Sequence, residues 1–296
     1  MLSRLLRAVV LGQLLIGALL GALVVWLAGV SPYWISVAAL LALLLGTPLS
    51  ISFSAISSRQ PGSDPLLWWR SYVSEMLCST RMFTFRMPFR WSRPSVQPGL
   101  GSAQRIPVVL VHGFLCNHHV LDDVALALRR AGHTVLGVDL EPLFTSIDGY
   151  APRIEQAVQQ LCSHTGAQKV ALLGHSMGGL AIRAWLRAHG GERAARVVTL
   201  GTPHWGTRIG QHVRTPNGQQ MGYRSAWLQQ LAAQELPELR QRMAIAVSPQ
   251  DNIVYPQLEQ VLEGAEVRVF PGRGHVQLCR DGEVNAWLTA QLANLG

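Results

Sequence analysis

The sequence predicts an α/β domain with a mostly parallel sheet flanked by helices, preceded by two transmembrane helices. Three features carry this reading. From residue 106 onward, short apolar runs of strand length alternate with helical patterns. That alternation builds a parallel sheet from crossover units. Before it stand two long uncharged apolar stretches, 8–30 and 34–51. Between the third strand of the domain and the helix after it, residues 174–178 read G-H-S-M-G, the signature of a sharp turn.

Composition separates the two parts. Hydrophobic residues make up 49% of the 296 and charged residues only 14%, below the usual quarter. Residues 1–100 hold eight Arg against Asp64 and Glu75, a net of +6. Residues 101–296 hold 17 basic and 15 acidic residues, a net of +2. The basic excess therefore belongs to the membrane-proximal part. It suits anionic lipid headgroups and argues against a nucleic-acid partner. Cys78, Cys116, Cys162 and Cys279 show neither a C-x-x-C pair nor metal-ligand spacing, so they are expected as free thiols. His118 and His119 are adjacent and should diverge on a helix. No glycine loop for a nucleotide stands out, and no cofactor or metal is expected.

In chain order, 8–30 is long enough to span a bilayer core as a helix, and 34–51 is near the lower limit. Ser31 and Pro32 break them apart, and Trp26, Tyr33 and Trp34 fall where interfacial aromatics sit. A cleaved signal peptide would have a shorter apolar region with no second one behind it. Arginines flank the hairpin on both sides and its turn carries no charge, so both ends are expected in the cytoplasm. Residues 57–63 read as a polar linker. Asp64 and Pro65 read as a helix start, and 66–80 as an amphipathic helix lying on the membrane or packed on the domain. Residues 82–90 alternate Phe83, Phe85, Met87 and Phe89 on one face, which predicts an edge strand; 97–102 is a loop. Strands are then predicted at 106–111, 134–139, 169–173, 196–200, 243–247 and 266–270. Helices are predicted near 119–131, 150–164, 177–189 and 281–293. The interval 205–240 exceeds a normal connection and reads as a lid, with an apolar face at Trp227, Leu228 and Leu231 expected to lie over the site. The organisation is thus a hairpin at 1–56, a linker with helix and edge strand at 57–100, and an α/β domain at 101–296.

Strand before, helix after and glycines at 174, 178 and 179 turn the G-x-S-x-G match into a nucleophile elbow, with Ser176 held at a helix N-terminus. This stretch resembles the α/β-hydrolase family, and within it bacterial lipases and esterases. Further matching segments are V-L-V-H-G-F at 109–114, G-T-P-H-W-G-T at 201–207, S-P-Q-D-N-I-V at 248–254 and G-R-G-H-V at 272–276. They follow the family's order.

The resemblance implies Ser176 as nucleophile and His275, after the last strand, as its base. Asp251 then orients the imidazole, in the chain order serine, acid, histidine. Asp139, at another strand end, is the rival acid. His175 should point away from the site. The backbone N–H groups of Met177 and, by likeness to H-G-x motifs, of Phe114 should form the oxyanion hole. The implied activity is hydrolysis of lipid-like carboxylic esters at a bacterial inner membrane, with the catalytic domain on the cytoplasmic side. A thioesterase or acyltransferase shares the same acyl-serine chemistry. A non-catalytic scaffold on the same fold is the reading of another class.

Overall fold

The computed structural model describes residues 1–90, 92–101 and 105–295. Two long helices come first, α1 (Leu2–Ala28) and α2 (Tyr33–Ser58), paired as an antiparallel hairpin. Both are long and apolar enough to cross a membrane, with mean hydropathies of 2.5 and 2.0. Only 17% and 6% of those stretches are buried, so they are not core helices of a soluble domain. The pair is close: a side chain at Gly17 would meet Ala38 O at 2.6 Å, and one at Gly21 would meet Ile35 Cα at 2.8 Å. Small residues four apart let helix backbones approach in this way.

The hairpin does not hang from a linker. Its base is seated on the domain through buried Leu2, Val10, Ile51 and Ala55. Ser54 Oγ accepts from Asn252 Nδ2 at 2.9 Å, and the Ser58 carbonyl accepts from Gln257 Nε2 at 3.0 Å.

Helix α3 (Pro65–Ser79) starts where Asp64 predicts: its carboxylate accepts from the Leu66 and Leu67 N–H groups. Its polarity is inverted. Ser71, Glu75 and Ser79 are buried, while Leu66, Trp69, Val73 and Leu77 form an exposed apolar stripe. The edge strand expected over 82–90 is absent. Thr80–Arg86 is instead a π-helix, continued by a short helix Met87–Phe89. The wide turn buries Met82, Thr84 and Met87 and leaves Phe85 and Phe89 exposed. The alternation of Phe83, Phe85, Met87 and Phe89 fitted a strand, but among the described residues no strand pairs with it.

Among the described residues seven strands form one sheet: β1 (Val96–Gln97), β2 (Arg105–Val111), β3 (His133–Val138), β4 (Val170–His175), β5 (Ala194–Leu200), β6 (Met243–Val247) and β7 (Glu266–Val269). Their order is β1-β3-β2-β4-β5-β6-β7. All neighbours are parallel except β1, the edge strand, which runs against β3. β1 closes the expected loop 97–102 at its start; Ser102 lies outside the described residues. The six predicted strands of the parallel part all form, within two residues at each end; β2 to β6 are largely buried runs rich in Val, Leu, Ile or Ala, while β7 lies exposed at the far edge of the sheet. Helices Ala151–Thr165 and Met177–His189 close one face of the sheet with a core around Val109, Leu172 and Trp185. Asp122–Arg130 and Gly282–Leu292 close the other around Leu110, Leu173 and Phe270. From β2 the chain steps to β3 on one side, then returns to β4 on the other. The loops leaving β2 and β4 therefore part at a switch point, where open α/β sheets bind ligands.

Candidate active site

Ser176 follows β4 and precedes helix Met177–His189, with φ 55° and ψ −129°. A non-glycine residue in this region is strained, and such strain persists only where the surroundings hold it. Gly178 permits it: a Cβ there would lie 2.1 Å from Val111 O. Ser176 is 8% exposed and borders a cavity of about 530 Å³. Met177 N–H, at the first helical position, has no intrahelical acceptor. Phe114 lies in the turn after β2, where its N–H meets no backbone acceptor among the described residues, and its side chain lines the same cavity. His112 steadies that turn. Its Nδ1 donates to Gly113 O at 2.8 Å and its Nε2 accepts from Leu140 N at 3.0 Å. Burial keeps this imidazole below the usual histidine range.

His275 also borders the cavity, in the loop after β7. Its Nδ1 donates to Asp251 Oδ2 at 2.8 Å. Asp251 leaves β6 by a turn in which its Oδ1 accepts from Ile253 N and Val254 N, both at 2.8 Å. Both side chains are buried. Burial pushes the His275 pKa down, but the carboxylates of Asp251 and Glu75 outweigh it and hold the pKa above the usual value. The rival acid is elsewhere: Asp139 Oδ1 accepts from His118 N and Nδ1, each at 2.9 Å. His118 and His119, expected to diverge, have rings 4.1 Å apart and share Ser92 Oγ. Their other ring nitrogens are bonded to Asp139 and Asp122. Among the described residues no group of three or more potential ligands is placed to hold a metal ion.

Two neighbours of His275 escaped the sequence reading. His175 was expected to point away. Its ring instead packs on that of His275, centroids 4.7 Å apart, and its Nε2 donates to the His275 carbonyl at 3.2 Å. Burial, with the charge of His275 second, keeps His175 far below the usual histidine pKa. Asn252 Oδ1 accepts from His275 N at 3.2 Å. Its place beside Asp251 in the quoted segment was the only signal for it.

The insertion divides. Thr207, Ile209, Val213 and Met221 wall the cavity. The apolar face expected over the site, Leu228 and Leu231 of helix Ala226–Gln234, is fully buried. Leu228 belongs to the core cluster, and Trp227 packs against it while its Nε1 donates to Asp148 at 2.8 Å. Further wall comes from the hairpin, Leu6, Val9, Val10 and Gln13 of α1 and Gly46, Thr47, Ser50 and Ile51 of α2, and from Glu75 and Ser79 of α3 with Phe83 and Thr84 of the π-helix.

The chain belongs to the α/β-hydrolase fold family, whose model matches residues 106–253. Within that family its sequence is lipase-like. It is 38% identical over 122 residues to a triacylglycerol lipase of Pseudarthrobacter phenanthrenivorans, a match covering 38% of each chain. The same identity over 122 residues relates it to a triacylglycerol lipase of Burkholderia plantarii, covering 38% of this chain and 34% of that one. The chain thus spans well under half the length of these curated relatives. Mature lipase BlEst2 of Bacillus licheniformis superposes with a TM-score of 0.56 at 14% identity, over 68% of this chain and 100% of that one. Aspergillus fumigatus lipase B does so with 0.57 at 13%, over 88% and 81%. At these identities the structures show a shared fold.

Proposed function

We propose that this chain is a membrane-anchored serine ester hydrolase that cleaves carboxylic esters of lipids through an acyl-serine intermediate. The observation that carries the reading is one cavity bordered by Ser176 and His275 on one side and by the base of the apolar hairpin on the other. In this reading Ser176 Oγ attacks the ester carbonyl while His275 Nε2 takes its proton. Asp251 holds the imidazole in the tautomer that leaves Nε2 free, and stabilises the imidazolium that forms. The N–H groups of Phe114 and Met177 receive the developing oxyanion. His275 returns the proton to the departing alcohol, and water then releases the acid by the same sequence of steps.

The substrate class follows from depth. A hydrocarbon core of about 30 Å takes about 20 residues of helix. Counted back from Ala28, the end of α1, that reaches Val9. Val10 and Gln13, which line the cavity, then stand at hydrocarbon depth. The exposed apolar stripe of α3 gives the domain a second lipid-facing surface beside the hairpin. An acyl chain already in the bilayer would meet Ser176 at high effective concentration. The arginine-rich flanks of the hairpin support a reading in which the catalytic domain faces the cytoplasmic side of an inner membrane.

The test is fluorophosphonate labelling of the detergent-solubilised full chain. Labelling and ester turnover are expected in the wild type, and both should be lost in Ser176→Ala with its circular dichroism unchanged. Labelling that persists in the variant overturns the assignment. A wild type that never labels points to a non-catalytic scaffold.

A further inference from the structure

We propose that Glu75 is a positioning residue for His275: its buried carboxylate, supplied by α3, clamps the loop that carries the base. The proposal rests on the reading of His275 as that base. Glu75 is 2% exposed. Its Oε1 accepts from Val276 N at 3.0 Å and from Ser79 Oγ at 3.1 Å; its Oε2 accepts from Gln277 N at 3.0 Å. Val276 and Gln277 directly follow the histidine. Gly274 directly precedes it, and a Cβ there would lie 2.5 Å from Glu75 Cβ and from its Oε2. The loop is thus pressed onto this one side chain from both sides of His275.

The remaining backbone groups of the histidine are also held. Its N–H goes to Asn252, which is bonded in turn to Ser54 of the hairpin. Its carbonyl accepts from His175. The clamp needs a carboxylate, because all three partners of Glu75 donate and hydrogen bonds to a charged acceptor are the strong ones. An amide in its place would turn an NH2 toward a backbone N–H. Burial holds the Glu75 pKa above the usual carboxylate value, although the Val276 N–H bond and the charge of His275 oppose it; the three donors around the carboxylate are what favour its ionised form. The titratable groups facing His275 are Asp251, Glu75 and His175. A negative charge at Glu75 favours the imidazolium that forms as the base accepts the serine proton.

Glu75 lies outside the segment matched by the family, which begins at residue 106. Its helix turns an apolar stripe outward and this carboxylate inward. The N-terminal region is therefore a working part of the site as well as an anchor.

The experiment is steady-state hydrolysis of a soluble p-nitrophenyl ester by the full chain in detergent. Rates are counted per active site by labelling to completion. Glu75→Gln is expected to lower kcat by about tenfold to a hundredfold, the scale of a small misplacement of a reacting group. KM should stay within about twofold, since the side chain keeps its size. The acid limb of kcat/KM should move to lower pH, because His275 loses a neighbouring negative charge. Wild-type kcat per labelled site with an unmoved acid limb overturns the proposal, even if Tm falls. If Glu75→Gln does not accumulate as folded protein, Ser79→Ala removes one donor to the carboxylate. It should lower kcat by about threefold, the scale of one hydrogen bond, and an unchanged kcat overturns the proposal. A wild type without Ser176-dependent turnover refutes the functional reading itself, a result distinct from either.

Discussion

Replacing Asp251 by Asn tests the geometry around the base most directly. Asp251 Oδ1 accepts two backbone N–H groups at 2.8 Å, and Oδ2 accepts from His275 Nδ1 at the same distance. In the variant the amide oxygen stays with the two N–H groups. Turning it around would forfeit two bonds at about 1 kcal/mol each and leave two buried donors unmet. The amide NH2 therefore faces Nδ1, which must become an acceptor. The ring then carries its proton on Nε2, where it can no longer take the serine proton. The imidazolium also loses its buried counter-charge. Together these should lower kcat by about 10,000-fold, the scale seen when a triad acid becomes an amide, or about 5.5 kcal/mol of barrier. The assay is p-nitrophenyl butyrate hydrolysis across a pH series, counted per active site. Because the His275 pKa is held above its ordinary 6.5 by Asp251 and Glu75 against burial, the wild-type kcat/KM should be low in acid. It should rise through a midpoint above that value as the base becomes neutral. Asp139→Asn, whose carboxylate bonds His118, serves as the control. An Asp251→Asn rate within about tenfold of wild type would refute the reasoning, as would an equal loss in Asp139→Asn.

Val10→Trp fills the part of the cavity wall that α1 supplies, at a site only 7% exposed. It should lower kcat/KM for a long-chain ester by at least about tenfold relative to a butyrate, in keeping with one to three kcal/mol per methylene contact in an apolar pocket. Parallel losses on both chain lengths would show that the hairpin wall does not hold the acyl chain. For sidedness, a C-terminal alkaline phosphatase fusion should be inactive and a fluorescent protein fusion bright; the opposite pair reverses the topology.

Much of the molecule could be read from the chain because the signals are local. Buried apolar runs such as 170–173 and 243–247 make strands whatever their neighbours do. Ser176 was legible because an elbow needs glycines at fixed offsets, and the paired hairpin because two long uncharged runs have few other uses. The pairing of Asp251 with His275 was expected from their order along the chain, and the two side chains do meet; their contact spans only the short segment between two adjacent strands. Residues 82–90 failed the same method. Their alternation is compatible with a strand, but a strand also needs a partner edge, and a period of two says nothing about whether one is near. The stripe at Trp227, Leu228 and Leu231 was apolar as expected, yet periodicity cannot say whether such a face meets a ligand or the core.

What only the tertiary structure decided is where polar side chains go when they leave water. Nothing in the sequence set Glu75 apart from the other residues of its helix. Glu75 is buried against Val276 and Gln277, some 200 residues away in sequence. His175 turned toward His275 rather than away, and the hairpin closed the cavity rather than merely tethering it. None of these placements has a local energetic signature. A buried carboxylate is tolerated only where donors converge on it, and that convergence exists only once the sheet, α3 and the hairpin have packed together.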